Sequence, residues 1–113
     1  MKQHERVFAV VDEFKGKNGI IRRRYRFTGR VQGVGFRYRA KHAAALYSIT
    51  GWVKNEWDGS VLMEAQGTKF QLGLLLEAIN RGTYIDIDWI QTEDIPVDED
   101  ETGFHVRMRD GLL

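Results

Sequence analysis

The run Arg22-Arg23-Arg24-Tyr25-Arg26-Phe27-Thr28-Gly29-Arg30-Val31-Gln32-Gly33-Val34-Gly35-Phe36-Arg37 carries two different periodicities on either side of a glycine-rich break. In its first part Arg22, Arg24, Arg26 and Thr28 alternate with Arg23, Tyr25 and Phe27. Successive strand side chains point to opposite faces, so this pattern predicts a strand with Tyr25 and Phe27 inward and a row of arginines on a solvated face. Gly29 to Gly35 follows no period. From there Phe36, Ala40, Ala43, Ala44 and Tyr47 share one helical stripe, and Arg37, Arg39 and Lys41 fall off it. A first helix is predicted from about Phe36 to Ser48, with Gly51 beyond its end.

Beyond that helix, Ile49 to Asn55 is short and rich in β-formers, and Glu56-Trp57-Asp58-Gly59 is a tight turn. Val61, Met63 and Ala65 then alternate with Leu62, Glu64 and Gln66, which completes a predicted β-hairpin. Gly67 ends its second arm. Thr68-Lys69-Phe70-Gln71 has the capping-box pattern, and Leu72, Leu75, Leu76 and Ile79 make one face of a second helix closing at Asn80-Arg81-Gly82. Ile85, Ile87 and Trp89 alternate with Asp86, Asp88 and Ile90 as a fourth strand. Pro96 and the acidic run Asp98-Glu99-Asp100-Glu101 form a loop, and Phe104, Val106 and Met108 alternate with His105, Arg107 and Arg109 as a last strand.

The order is β-α-β-β-α-β with a short C-terminal strand. Such an order implies an α+β sandwich of the ferredoxin-like kind, an antiparallel sheet with two helices on one face. Residues 1–19 read as an N-terminal extension, in which Val7–Val11 fits a short strand and Lys15–Gly19 a turn, and residues 20–113 as the domain proper.

Composition narrows the chemistry. A chain of 113 residues with 42% hydrophobic side chains can bury one core, and one Pro against 12 Gly is not the balance of a disordered chain. No apolar run approaches the ~20 residues of a membrane helix, and the five apolar residues Val7–Val11 are too few for a secretory leader. The absence of Cys excludes disulfides, thiolate metal sites and Cys nucleophiles together. The expectation is a cytoplasmic monomer that needs no cofactor, metal, membrane or nucleic acid. The net charge of +1 conceals an asymmetry: residues 1–54 carry 13 Lys and Arg against 3 Asp and Glu, whereas residues 55–113 carry 4 against 13. Either the halves interleave and neutralise each other, or the first half builds a positive pocket for an anion.

The loop before the first helix is the strongest candidate for chemistry. Gly33 and Gly35 lack the Cβ that would block unusual backbone angles, so successive N–H groups can turn inward as an anion-binding nest. The nest opens a helix whose free N–H groups and dipole also favour negative charge. Arg37 lies in that helix's first turn, where the dipole disfavours a cation, and is better accounted for by an anion shared with the nest. A plain strand-to-helix turn with a solvated Arg37 fits the same residues. Neither a Walker loop nor a Gly-x-Gly-x-x-Gly pattern is present.

The stretch Gly29-Arg30-Val31-Gln32-Gly33-Val34-Gly35-Phe36-Arg37, followed by Gly51-Trp52-Val53-Lys54-Asn55 and Asp58-Gly59-Ser60-Val61, resembles the acylphosphatase family. The likeness runs from about Tyr25 to Arg109, with both motifs at the family's spacing. It implies hydrolysis of acyl phosphates, which are carboxylic–phosphoric mixed anhydrides, to a carboxylate and inorganic phosphate. It also implies that Gln32, Gly33, Val34, Gly35, Phe36 and Arg37 hold the phosphate and that Asn55 positions the attacking water. Gly82-Thr83 departs from the Gly-Pro that members often carry there.

This chemistry suits the residues on offer. A carboxylate, with a conjugate-acid pKa of about 4, leaves without a general acid. The transition state spreads charge over three phosphoryl oxygens and calls for positioned donors and a fixed cation. The other candidates are weaker. His4, His42 and His105 lack metal-ligand spacing, Asp86 and Asp88 share a strand face expected to meet solvent, and Trp57 either borders the site or packs on the sheet edge. Two alternatives are a non-catalytic phosphate-binding module and an RNA-binding module. For the latter, the outward residues Arg24, Arg26 and Thr28 with Leu62, Glu64 and Gln66 form no aromatic platform.

Overall fold

A computed structural model describes residues 19–109. The short strand expected at Val7–Val11, all of the Lys15–Gly19 turn except Gly19, and residues 110–113 lie outside the described residues. Five strands, β1 (Ile20–Arg30), β2 (Thr50–Asn55), β3 (Val61–Thr68), β4 (Asp86–Ile95) and β5 (Phe104–Arg107), form one sheet in the order β4-β1-β3-β2-β5. All pairings are antiparallel except that of β5 with β2. Helices α1 (Phe36–Leu46) and α2 (Lys69–Asn80) cover one face, as the sequence pattern implies.

Register divides the sheet residues cleanly. Tyr25 opposes Met63, Phe27 opposes Val61 and Val53 opposes Met63. These side chains are buried with Phe36, Ala40 and Ala44 of α1 and Leu72, Leu75 and Ile79 of α2, forming one continuous core. Two local devices fix the helices. Gln71 N donates to Thr68 Oγ1 at 3.1 Å while Thr68 N donates to Gln71 Oε1 at 2.8 Å, so the capping box of α2 is complete. Helix α1 stops at Leu46 rather than running to Ser48, because Ser48 takes a left-handed conformation (φ 59°) and Ile49 N closes back on Ala44 O at 2.8 Å. Gly51 has a different task from ending a helix: a Cβ there would come within 1.9 Å of Glu64 O, so only glycine lets β2 lie this close to β3.

Two expectations are corrected. The register of β4 shifts between Thr28 and Gly29, and Asp88 is the extra residue. Ile85 is buried and Ile87 half-buried on the helix side, but past the bulge Trp89 opposes Thr28 on the open face and stands exposed, while Ile90 opposes Phe27. The arginine row is not simply solvated either. Arg22 is only 5% exposed and binds both Glu64 (Nη2–Oε1, 2.9 Å) and Glu101 (Nη1–Oε1, 2.6 Å). The reason is topological. Strands β4 and β5 lie at opposite edges, so residues 96–103 must cross the sheet between them. That strap is held by Glu101 on Arg22 of β1, by Asp98 N on Gln66 Oε1 of β3 (2.8 Å) and by Gly51 N of β2 on Gly103 O (3.0 Å). It crosses at the end of the sheet where Ile20 meets Thr68, leaving the opposite end for the Gly33–Gly35 loop.

Candidate active site

At that opposite end β1 runs out into the loop and α1 begins. Gly33 (φ 72°) and Gly35 (φ 82°) are both left-handed, and Val34 between them is not. Alternation of this kind turns neighbouring N–H groups toward one point. A Cβ on either glycine would meet nothing within 4 Å, so backbone angle and not crowding demands glycine here. Gly35 is the N-cap of α1, no side chain caps the helix, and its first turn holds no acid. The first N–H groups of α1 therefore keep their capacity for an anion.

The hairpin delivers the second half of the site. Asn55 ends β2 opposite Val61 and faces the helix side of the sheet. Its side chain is 6% exposed, and its Oδ1 has no hydrogen-bond partner among the described residues. A buried polar atom left so is unusual and marks a place where water or a ligand belongs. The turn after Asn55 is built by Asp58, whose Oδ1 accepts from Ser60 N (2.9 Å) and Ser60 Oγ (2.6 Å). Those bonds hold its carboxyl below the ordinary carboxylate range.

A cleft of about 380 Å³ joins the two halves. The loop contributes Val31, Gly33 and Gly35, α1 contributes Phe36, Arg37, Tyr38 and Lys41, and β2 and β5 contribute Asn55 and Val106. Arg37 makes no hydrogen bond or ion pair with any described residue. It is half-exposed and shares the cleft with Gly33 and Gly35 of the loop. The arrangement can bind a tetrahedral dianion and hold a water molecule against it.

Of the residues picked out in the sequence, Gly33, Gly35, Phe36, Arg37 and Asn55 come together in this cleft, and Gln32 and Val34 do not line it. Val34 is half-buried against the core. Gln32 is a strut: its Nε2 donates to Glu56 O and Ser60 O, both at 2.8 Å, and its Oε1 accepts from Arg109 Nη2 at 3.1 Å. That side chain ties the loop to the turn carrying Asn55 and leaves its backbone N–H as its means of reaching an anion. Trp57 stands 66% exposed with Arg109 stacked 4.8 Å from its ring. Lys41 and Val106 escaped the sequence reading. Lys41 follows Arg37 by four residues, a spacing that places both on one helix face. Val106 arrives through the parallel pairing of β5 with β2, which no local pattern reveals.

The open face of the sheet carries a network of ion pairs and two tryptophans. Glu64 binds Arg24 (Nη2–Oε2, 2.6 Å) as well as Arg22, and Trp52 is buried with Arg107 4.5 Å from its ring. The arginines of this face are held by carboxylates and Trp52 is covered, while Trp89 at the β4 edge stands exposed.

The fold and the cleft define a small α+β sandwich with a glycine-rich loop at the start of its first helix. A family model described as Acylphosphatase matches residues 23–106. An acylphosphatase of Geobacillus thermodenitrificans is 45% identical over 85 residues, covering 74% of this chain and 90% of the relative. The crystal structure of acylphosphatase from Bacillus subtilis superposes with a TM-score of 0.71 at 33% identity, over 77% of this chain and 98% of that one. An acylphosphatase structure from Coxiella burnetii gives 0.72 at 32% identity, over 80% and 96%. The chain belongs to the acylphosphatase family and is a hydrolase of that kind. Among the described residues no helix is long and apolar enough to cross a membrane.

Proposed function

We propose that this chain hydrolyses acyl phosphates with Arg37 as phosphate anchor and Asn55 as water positioner, acting as a cytoplasmic monomer. The observation that carries the reading is the meeting in one cleft of Arg37 and a buried Asn55 Oδ1, neither of which has a partner among the described residues. The phosphoryl oxygens sit on the N–H groups of the Gly33–Phe36 loop, with the Arg37 guanidinium donating from the side. Asn55 Oδ1 accepts one hydrogen of a water and turns an oxygen lone pair toward phosphorus. As the new P–O bond forms, the P–O bond to the acyl group breaks. The carboxylate departs with the electron pair, and the water's proton passes to a phosphoryl oxygen. The loop, Arg37 and Asn55 supply position and charge, which is what a loose phosphoryl transition state requires.

Ultraviolet absorbance during hydrolysis of benzoyl phosphate, wild type beside Arg37→Ala, tests this. Losing one preorganised charged donor is expected to lower turnover by at least ~10²–10³-fold with the fold intact by circular dichroism. Turnover that survives Arg37→Ala would put the site elsewhere. A folded wild type that binds phosphate without turnover would make the chain a phosphate-binding module.

A further inference from the structure

We propose that Lys41 selects acyl phosphates whose acyl group carries a second anion, such as a carboxylate remote from the anhydride. The inference rests on the reading of Arg37 as phosphate anchor and extends it to the other end of the substrate. Lys41 follows Arg37 by one helical turn, about 6 Å along the axis, and both line the cleft. Like charges at this spacing destabilise an isolated helix, and α1 contains no acid to relieve them. Most other described cations of the first half are occupied: Arg22, Arg23, Arg24 and Arg26 pair with carboxylates, and Arg39 donates to Ala78 O at 2.6 Å, whereas Arg30, also without a partner among the described residues, does not line the cleft. Lys41 is exposed and pairs with no described residue, and the cleft lining includes no acid. A phosphate held at Arg37 and the loop leaves its acyl group to extend along the cleft. Lys41 can then meet a charge carried by that group, with Tyr38 beside it.

The probes are 4-carboxybenzoyl phosphate and benzoyl phosphate, which differ by one remote carboxylate that cannot cyclise onto the anhydride. In wild type at low salt the carboxylated substrate is expected to have a KM roughly threefold lower, the effect of one exposed ion pair. K41M should bring the ratio of the two KM values to about one, and K41R should keep it. K69M, whose charge sits at the start of α2 near the far end of the sheet, should leave the ratio at the wild-type value. Two results would overturn the proposal alone: a ratio unaffected by K41M, or an equal rise of both KM values, which would make Lys41 part of phosphate binding. Failure of wild type to hydrolyse either substrate would overturn this proposal and the acyl phosphate reading together.

Discussion

Asn55 is the residue whose role is most open to a clean experiment. It is buried at the end of β2, and the turn that follows is closed around the Gln32 side chain and not around Asn55 itself. Truncation removes the Oδ1 acceptor while the loop N–H groups and Arg37 keep their places. Asn55→Ala should therefore cut kcat by ~10²-fold, the range seen when one positioned polar group is lost. The inhibition constant of inorganic phosphate should change less than about threefold. Steady-state kinetics with phosphate as inhibitor separates the two effects. An inhibition constant that rises while kcat holds would make Asn55 a phosphate ligand instead of a water positioner.

At the scale of elements, the strap over residues 96–103 and the row on β1 depend on each other through Arg22, Glu64 and Glu101. Burial alone would push the Glu64 carboxyl up, but hydrogen bonds from Arg24 and Arg22 outweigh it and hold Glu64 below its ordinary value of 4.5. A carboxyl depressed by folding adds stability in full above about pH 4.5, and this is lost as pH falls through the lower folded value. Urea denaturation should therefore show stability declining below that pH, and Glu64→Gln should flatten the decline while lowering stability at pH 7. An equally steep acid limb in the variant would place the sensitivity on other carboxyls. Strand–helix order, the two inward aromatics of β1 and the capping box were all legible, because each is written in neighbouring residues. Arg22 looked solvated because its partner Glu101 comes from a strap whose path is set by the order of strands. Trp89 was assigned to the wrong face for a similar reason. The bulge opposite Gly29 exists because glycine admits the β4 backbone, where a Cβ would come within 2.3 Å of Asp86 O. At the site the glycines, Arg37 and Asn55 could be read from their motifs, whereas the Gln32 strut needed the turn and Arg109 to be in place.

Among the described residues the two oppositely charged halves interleave through the sheet. Arg22, Arg23, Arg24 and Arg26 of β1 are neutralised by carboxylates of the later half, while Arg30, Arg37 and Lys41 toward the loop end stay uncompensated by any described residue. On the proposed reading, the cleft's positive charges, paired with no described residue, are relieved when an anion enters. Inorganic phosphate, binding the native state alone, should raise stability by RT ln(1 + [L]/Kd), about 1.4 kcal/mol at ten times its Kd. For a domain of this size that is a rise in Tm of roughly 5 °C. Scanning calorimetry at constant ionic strength, with chloride replaced by phosphate, reads it directly. Arg37→Ala should abolish the shift by removing the anchor. Glu64→Gln, at the other end of the sheet's charge network, should lower the starting Tm and keep the shift whole. A shift that persists in Arg37→Ala and fails in Glu64→Gln would mean that phosphate stabilises the molecule through the open face of the sheet, and the positive charge at the loop end would then need a different explanation.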